Sequence, residues 1–252
     1  MSSPAQSARY GGLDTLRGIC LLSMIAFHGV YDLANIVGVP IPWLYEMPGY
    51  LWQQSICWTF ILLSGFCLSL SRRPIRHGLI LVGCGGAITL VTYFLMPSEL
   101  IQYGVLTLLG LSALLLTFLR WVCCRLSLRI PAPVGLGISL VLLFLTRNLS
   151  RGSLGYDRPI LMPDFLYKTD LLAVLGFHSP SFTSSDYFPL LPWFFLYCAG
   201  YFLWKLLSPR ENVMDRLRPG IRPLAFLGRH SLLIYLLHQP VLLGIFMLLL
   251  RK

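Results

Sequence analysis

Apolar stretches long enough to cross a membrane recur along almost the whole of this chain. A helix of about 20 apolar residues spans the roughly 30 Å hydrocarbon core of a bilayer. Stretches of this kind cover residues 13–35, 51–70, 78–96, 100–119, 188–207 and 230–250, and a shorter one covers 131–147. With 56% hydrophobic and only 12% charged residues, a soluble core would be too small to bury so much apolar surface. We therefore predict an all-α polytopic membrane protein with about seven transmembrane helices.

The basic residues predict the orientation of these helices. With the N-terminus in the cytoplasm, most Lys and Arg residues fall on the cytoplasmic side, and the connections 36–50 and 97–99 on the other side contain none. This is the positive-inside pattern. The net charge of +10 is then explained by topology and by attraction to anionic membrane lipids, which argues against nucleic acid as a partner. We expect a multi-pass integral protein of the bacterial inner membrane, in an oligomeric state that the sequence leaves open.

One long exterior connection, residues 148–187, precedes the sixth helix. Loops of this length are usually functional or disordered. Its apolar run 171–177 is too short to span a membrane, so we predict that it lies at the interface or re-enters the membrane. The chain shows no internal repeat, and its seven cysteines lack metal-ligand spacing. We predict a single domain over residues 1–252 without a metal site.

The first helix carries ionisable side chains, which are costly in hydrocarbon and point to function. At about 100° per residue, Arg17 and His28 leave the same face of this helix. Asp14 precedes Arg17 by one turn and can orient its guanidinium toward a phosphate or carboxylate. Asp32 follows His28 by one turn and can fix the imidazole tautomer for proton transfer. The alternatives are a snorkelling Arg17 at the interface and a purely structural hydrogen bond from His28 to another helix.

Two further polar residues lie in apolar surroundings. His238 lies in the last helix just before Pro240. It either contacts substrate or satisfies the carbonyl of residue 236, which this proline leaves free. Asp186 lies in the proline-flanked segment that leads into the sixth helix. It either meets an amine or sugar hydroxyl of a substrate or caps the N-terminus of that helix.

Several short motifs resemble one known family in combination. They are Leu13-Asp-Thr-Leu-Arg-Gly18 with His28 and Asp32, Ser64-Gly65, Tyr103-Gly-Val-Leu106, Asp186-Tyr-Phe-Pro-Leu-Leu-Pro-Trp193 and Ser231-Leu-Leu-Ile-Tyr-Leu-Leu-His-Gln-Pro240. Over most of its length the chain resembles the heparan-α-glucosaminide N-acetyltransferase catalytic-domain family, within the transmembrane acyltransferase group. The resemblance implies an enzyme that takes an acyl group, usually acetyl, from coenzyme A on the cytoplasmic side. The group is delivered outside to a hydroxyl or amine, on a sugar or glycan, with acetyl-CoA as the acyl donor.

Two positions depart from the relatives. Some relatives carry the catalytic histidine in the first exterior connection, but residues 36–50 contain none, which leaves His28 for that role. Related bacterial sequences often carry a histidine shortly after the Gly-Val/Ile-Leu run, where this chain has Thr107.

The resemblance and the residues together give a mechanism hypothesis. Arg17 and Asp14 would hold the coenzyme A phosphates at the cytoplasmic mouth, helped by the loop residues Arg72, Arg73 and Arg76. His28, oriented by Asp32, would act as general base on the acceptor or carry the acyl group itself. The acceptor would be contacted by Asp186, Tyr187, Tyr103 and His238.

Other functions compete with this hypothesis. The loop arginines also fit a role in topology alone. A proton- or ion-coupled transporter would use the same intramembrane charges, but transporters of this kind show internal repeats with broken helices. A scaffold or sensor would bind a partner through the 148–187 loop instead.

Overall fold

A computed structural model describes residues 10–250 of the chain. Within these residues the chain forms nine α-helices and one hairpin of two short strands. The helices are α1 Gly11–Asn35, α2 Met47–Leu68, α3 Pro74–Leu95, α4 Val105–Arg125, α5 Ala132–Leu145, α6 Leu190–Leu207, α7 Glu211–Leu217, α8 Arg222–Arg229 and α9 Ser231–Leu250. The strands β1 Ser153–Leu154 and β2 Ile160–Leu161 are antiparallel, with Ser153 opposite Leu161.

Seven helices of the described chain are long and apolar enough to cross a membrane. They are α1 to α4, α6 and α9, together with α5 and the turns that extend it to Arg151. The prediction of an all-α polytopic membrane protein is therefore confirmed. The ends of the predicted domain 1–252 lie outside the described residues.

Helix boundaries differ from the predicted limits for identifiable reasons. The third helix begins at Pro74 and not at residue 78, because proline is favoured in a first helical turn and hydropathy alone misses the polar turn that follows it. The fourth helix begins at Val105 and not at residue 100. Tyr103 has a φ of 54°, in the left-handed region, so the chain turns sharply just before this helix.

Contacts divide the chain into two compact units. The first unit contains the residues up to Leu63 and those from Leu207 onward, and thus α1, most of α2, α7, α8 and α9. The second unit contains Ser64–Leu206, and thus α3 to α6 with the long connection 148–187. The single domain over the whole chain stays a prediction.

In the first unit, α1 and α8 approach each other to backbone contact. Gly18 lies against the backbone of Leu224, and Gly228 lies against the backbone of Asp14, so neither glycine has room for a side chain. Small residues allow helices to pack this closely. The sequence predicted only a cytoplasmic connection over residues 208–229. Two short helices, α7 and α8, form there instead. The second of them packs against the part of α1 that contains Asp14 and Gly18.

The last helix, α9, packs along α1, and many of its apolar side chains are exposed. Between Ser231 and Leu249 no residue is fully buried. Leu237 is 50% exposed and Leu248 is 70% exposed. Apolar side chains on the outside of a membrane-spanning helix contact lipid tails, which are as apolar as leucine.

In the second unit, the connection 148–187 is tied together by tyrosine hydroxyls. Tyr167 donates a hydrogen bond to the Leu149 carbonyl at 2.6 Å, and Tyr187 donates one to the Ala173 carbonyl at 2.6 Å. Within the apolar run 171–177, Ala173 is fully buried whereas Leu171 is 83% exposed. The position of this run at a membrane interface stays a prediction.

Asp170 holds the far end of that run in place. Its carboxylate accepts a hydrogen bond from the Ser179 amide at 2.8 Å. Hydrogen bonds from the Ser179 hydroxyl and amide hold the pKa of Asp170 below its usual value. A carboxyl whose pKa is lower in the folded state than in the unfolded state stabilises the folded segment at pH values above its unfolded pKa. This stabilisation is lost as the pH falls through the folded pKa.

We therefore expect Asp170→Asn to raise amide hydrogen exchange in residues 171–179 by about three- to tenfold, because one charge-assisted hydrogen bond is lost. Lowering the pH should loosen the same segment in the wild type and have little further effect on the variant. Exchange followed by mass spectrometry measures both. Asp157→Asn, at an exposed position in the hairpin, is the control and should leave the segment unchanged.

Candidate active site

Two imidazoles meet between α1 and α9 of the first unit. The ring centroids of His28 and His238 are 4.9 Å apart, and the rings are tilted by 57°. Both residues are half-buried, on helices that are otherwise apolar. Phe27 packs edge-on against the His28 ring, with centroids 6.0 Å apart. The structure thus brings together two of the predicted site residues that lie 210 positions apart in the sequence.

The tautomer of His238 follows from its backbone contact. Its Nδ1 lies 2.6 Å from the Tyr235 carbonyl oxygen, and a carbonyl only accepts hydrogen bonds. The Nδ1 atom therefore carries the proton, and Nε2 of the neutral ring carries the lone pair. This Nε2 atom is buried without a hydrogen-bond partner among the described residues. The position of Pro240 predicted a contact between His238 and the carbonyl of residue 236. In the structure His238 contacts the carbonyl of Tyr235 instead.

Asp32 binds across to α9. Its side chain is buried, with the residue 3% exposed. Gln239 donates hydrogen bonds from its Nε2 to the two carboxylate oxygens of Asp32, at 3.1 and 3.2 Å. The sequence predicted a role for Asp32 in orienting His28 one turn away; that role stays a prediction. The contact with Gln239 was missed, although this residue directly follows His238 in the last of the resemblance motifs.

Arg17 and Asp14 form the pair that their spacing predicts. The Arg17 Nη1 lies 3.1 Å from the Asp14 Oδ1, with side-chain exposures of 21% and 10%. The close packing of α8 against this part of α1 covers Asp14. Desolvation strengthens such an ion pair and fixes the guanidinium. A phosphate anchor and an interfacial ion pair both use this geometry, so the role of Arg17 stays a prediction.

The other predicted coenzyme A residues lie in the second unit. Arg72 and Arg73 precede α3, and Arg76 lies in its first turn; all three are exposed. Their exposure fits a phosphate contact as well as it fits the positive-inside rule.

Hydrogen bonds join two segments of the second unit, 103–105 and 186–188, which contain the residues predicted to contact the acyl acceptor. Asp186 Oδ2 accepts a hydrogen bond from the Val105 amide at 3.5 Å, a long contact, so the carboxylate lies at the N-terminus of α4. The predicted alternative was a cap of the sixth helix, which begins four residues later at Leu190. The Phe188 amide donates to the Tyr103 carbonyl at 3.0 Å. Burial raises the pKa of the Tyr187 phenol above its ordinary range, so this group stays a neutral donor.

The sequence did not single out His178, which lines a cavity in the connection 148–187. This cavity has a volume of about 560 Å³ and is also lined by Arg151, Asp164 and Tyr167. The His178 ring packs against Tyr187 with centroids 5.3 Å apart. The available signal was a lone histidine within a long loop rich in aromatic residues. Within the described residues, no group of three or more His, Cys, Asp or Glu side chains has the arrangement of a metal site.

Comparison with protein families gives a match over most of the chain. A family model described as "Heparan-alpha-glucosaminide N-acetyltransferase, catalytic" matches residues 9–240. No curated protein and no solved structure gives a significant match to the chain. The matched region includes His28 and His238 as well as Asp14 and Asp32 of α1.

Proposed function

Because the chain belongs to the family of the heparan-alpha-glucosaminide N-acetyltransferase catalytic domain, we propose that it transfers acetyl from cytoplasmic acetyl-CoA to an acceptor outside the membrane. The acceptor is a sugar or glycan that offers a hydroxyl or an amine. In the reaction the C–S bond of the thioester breaks, a C–O or C–N bond forms, and the acceptor proton ends on the sulfur of coenzyme A.

The imidazole pair of His28 and His238 is the observation that supports this proposal most directly. Acyl transfer needs a group that removes the acceptor proton near neutral pH, and imidazole has the appropriate basicity. Apolar helices rarely carry two histidines in ring contact without a function, because polar groups in hydrocarbon are costly. We assign His28 as general base or transient acyl carrier, with Asp32 as the carboxylate of the same helix.

The donor side of the proposal rests on Arg17 and Asp14. The planar guanidinium of arginine carries five N–H donors in a geometry that matches a phosphate. Arg17 lies three helical turns from His28 on the same face of α1, which is about 16 Å along the helix. An extended pantetheine arm covers a distance of this size. Cytoplasmic entry of the donor follows from the positive-inside orientation.

Binding of acetyl-CoA to the detergent-purified protein tests the donor side. We expect micromolar binding in isothermal titration, and a loss of about tenfold or more in Arg17→Gln, because a hydrogen bond between charged groups is worth about 1.5–3 kcal/mol. Arg158→Gln is the matched control, since it removes the same charge from an exposed position of the hairpin. No binding to well-folded wild type would contradict the proposal and favour the transporter or the scaffold.

A further inference from the structure

Two hydrogen-bond acceptors stand side by side in the sequence of α9 without partners. They are His238 Nε2 and Gln239 Oε1, both buried and both without a hydrogen bond among the described residues. Leaving a buried polar atom unpaired destabilises the folded protein. Such atoms are rare in native proteins, and each one calls for an explanation.

Neighbouring groups fix both atoms as acceptors. His238 donates a hydrogen bond from its Nδ1–H group to the Tyr235 carbonyl, so Nε2 of the neutral ring can only accept a hydrogen bond. The Asp32 carboxylate accepts two hydrogen bonds from the Gln239 amide nitrogen, so the amide oxygen must point elsewhere. A carboxylate oxygen and an amide oxygen are both acceptors and cannot hydrogen-bond to each other. The Gln239 side chain must therefore turn its nitrogen toward Asp32 and its oxygen away from it.

The pair lies against one stripe of α1. His238 contacts His28, and Gln239 contacts Asp32, one turn further along the same face of α1. The titratable groups recorded around His238 are His28 on α1, Tyr235 on its own helix and Asp32 through Gln239.

His238 Nε2 and Gln239 Oε1 both require a partner that donates a hydrogen bond. The reacting thioester of an acyl-CoA has a carbonyl and a sulfur and therefore no donor at its reactive end. The nucleophile of the acceptor has an O–H or N–H bond at its reacting atom, whereas the nearest N–H donor of acetyl-CoA lies two carbons from its thioester sulfur. The unpartnered atoms thus match the acceptor and not the acyl donor.

We infer that His238 Nε2 binds the acceptor hydroxyl or amine and removes its proton, and that Gln239 Oε1 accepts a second hydrogen bond from the same acceptor. This assignment rests on the proposed acetyl transfer. With His238 as the base, His28 takes the acyl-carrier role: a His28 nitrogen bonds to the acetyl carbon, the C–S bond breaks, and the coenzyme A thiolate is released. As the acceptor oxygen or nitrogen then bonds to the acetyl carbon, the bond to His28 breaks and the acceptor proton moves to Nε2. The proton finally passes from His238 to the thiolate, which leaves as the coenzyme A thiol. Asp32 is a positioning residue in this scheme, because it acts through Gln239.

His238→Gln tests the assignment, with His230→Gln as the matched control. His230 lies one residue before the same helix, is exposed, and also places its Nδ1 2.9 Å from a backbone carbonyl oxygen, that of Phe226. Transfer is followed with glucosamine and with glucose as acceptors, and hydrolysis of acetyl-CoA is followed without either. We expect kcat of His238→Gln to fall by about 10²–10⁴-fold, with the affinity for acetyl-CoA unchanged and the control fully active.

Added imidazole distinguishes catalysis from a structural role. In His238→Ala it should restore activity at least tenfold, because a free imidazole can take the proton where the side chain is missing; it should not stimulate the wild type. An active wild type with an equally active His238→Gln overturns the assignment alone, as does a folded, inactive His238→Ala that imidazole does not rescue. A wild type that consumes no acetyl-CoA in any arm overturns the proposed function and the assignment with it. The ratio of glucosamine to glucose turnover separates amine from hydroxyl acceptors.

Discussion

Replacing His28 by alanine is expected to reduce acetyl transfer by about 10³-fold, within the range that general acid–base groups contribute. The protein should still fold, because His28 is only half-buried and its recorded ring contacts are with Phe27 and His238. Loss of the imidazole removes the proposed acyl carrier and leaves the His238 ring in place. The measurement is transfer of labelled acetyl from acetyl-CoA by protein in detergent or in liposomes.

The control for this prediction is the affinity for acetyl-CoA, which should stay within about twofold of the wild type because Arg17 is untouched. Size-exclusion elution and the melting temperature should also stay close to those of the wild type. Full activity of His28→Ala would sink the proposed mechanism. A parallel loss of activity and of folded protein would instead assign His28 to the packing between α1 and α9.

The largest expected effect on stability comes from Gly18→Ala. The new methyl group would collide with the Leu224 backbone of α8, which a side-chain rotation cannot relieve. Overpacking of this kind typically costs about 1–3 kcal/mol, against a gain of up to about 1 kcal/mol from the better helix propensity of alanine. We expect a clear net loss, with α8 displaced from the face of α1 that carries Asp14.

Gly83→Ala is the matched control. Gly83 is also within a membrane-spanning helix, α3, but nothing lies within 4 Å of a side chain added there. It should leave the melting temperature unchanged or raise it slightly, whereas Gly18→Ala should lower it by several degrees. Equal melting temperatures for the two variants would show that the contact between α1 and α8 adds little to the stability of the protein.

The membrane architecture was predictable because each membrane-spanning helix can be recognised from its own apolar composition. Each stretch of about 20 apolar residues signals a span by itself, so α1 or α9 could be found without knowledge of any contact. α8 could not be found this way. Its eight residues begin with Arg222 and Pro223 and end with Arg229, so it has no long apolar stretch. Its position is set by glycine contacts with α1, which lies about 200 positions away in the sequence.

The candidate site was predictable only where its members lie on one helix. The pair Asp14 and Arg17 follows from a spacing of three residues, and the structure contains it. His28 and His238 were each chosen separately, but their contact required the tertiary packing of α9 on α1. The spacing rule alone also favoured Asp32 with His28, whereas the recorded side-chain hydrogen bonds of Asp32 come from Gln239. A local rule cannot weigh a neighbour that a distant helix supplies.

The openness of α9 makes the bilayer a structural component of the candidate site. A helix that is packed along one side, with no fully buried residue from Ser231 to Leu249, takes its tilt partly from the thickness of the surrounding membrane. Because His238 and Gln239 both lie on this helix, a change in tilt alters their position relative to His28 and Asp32. We therefore expect the alignment of the two imidazoles, and with it the rate of the proposed transfer, to depend on the acyl-chain length of the surrounding lipid.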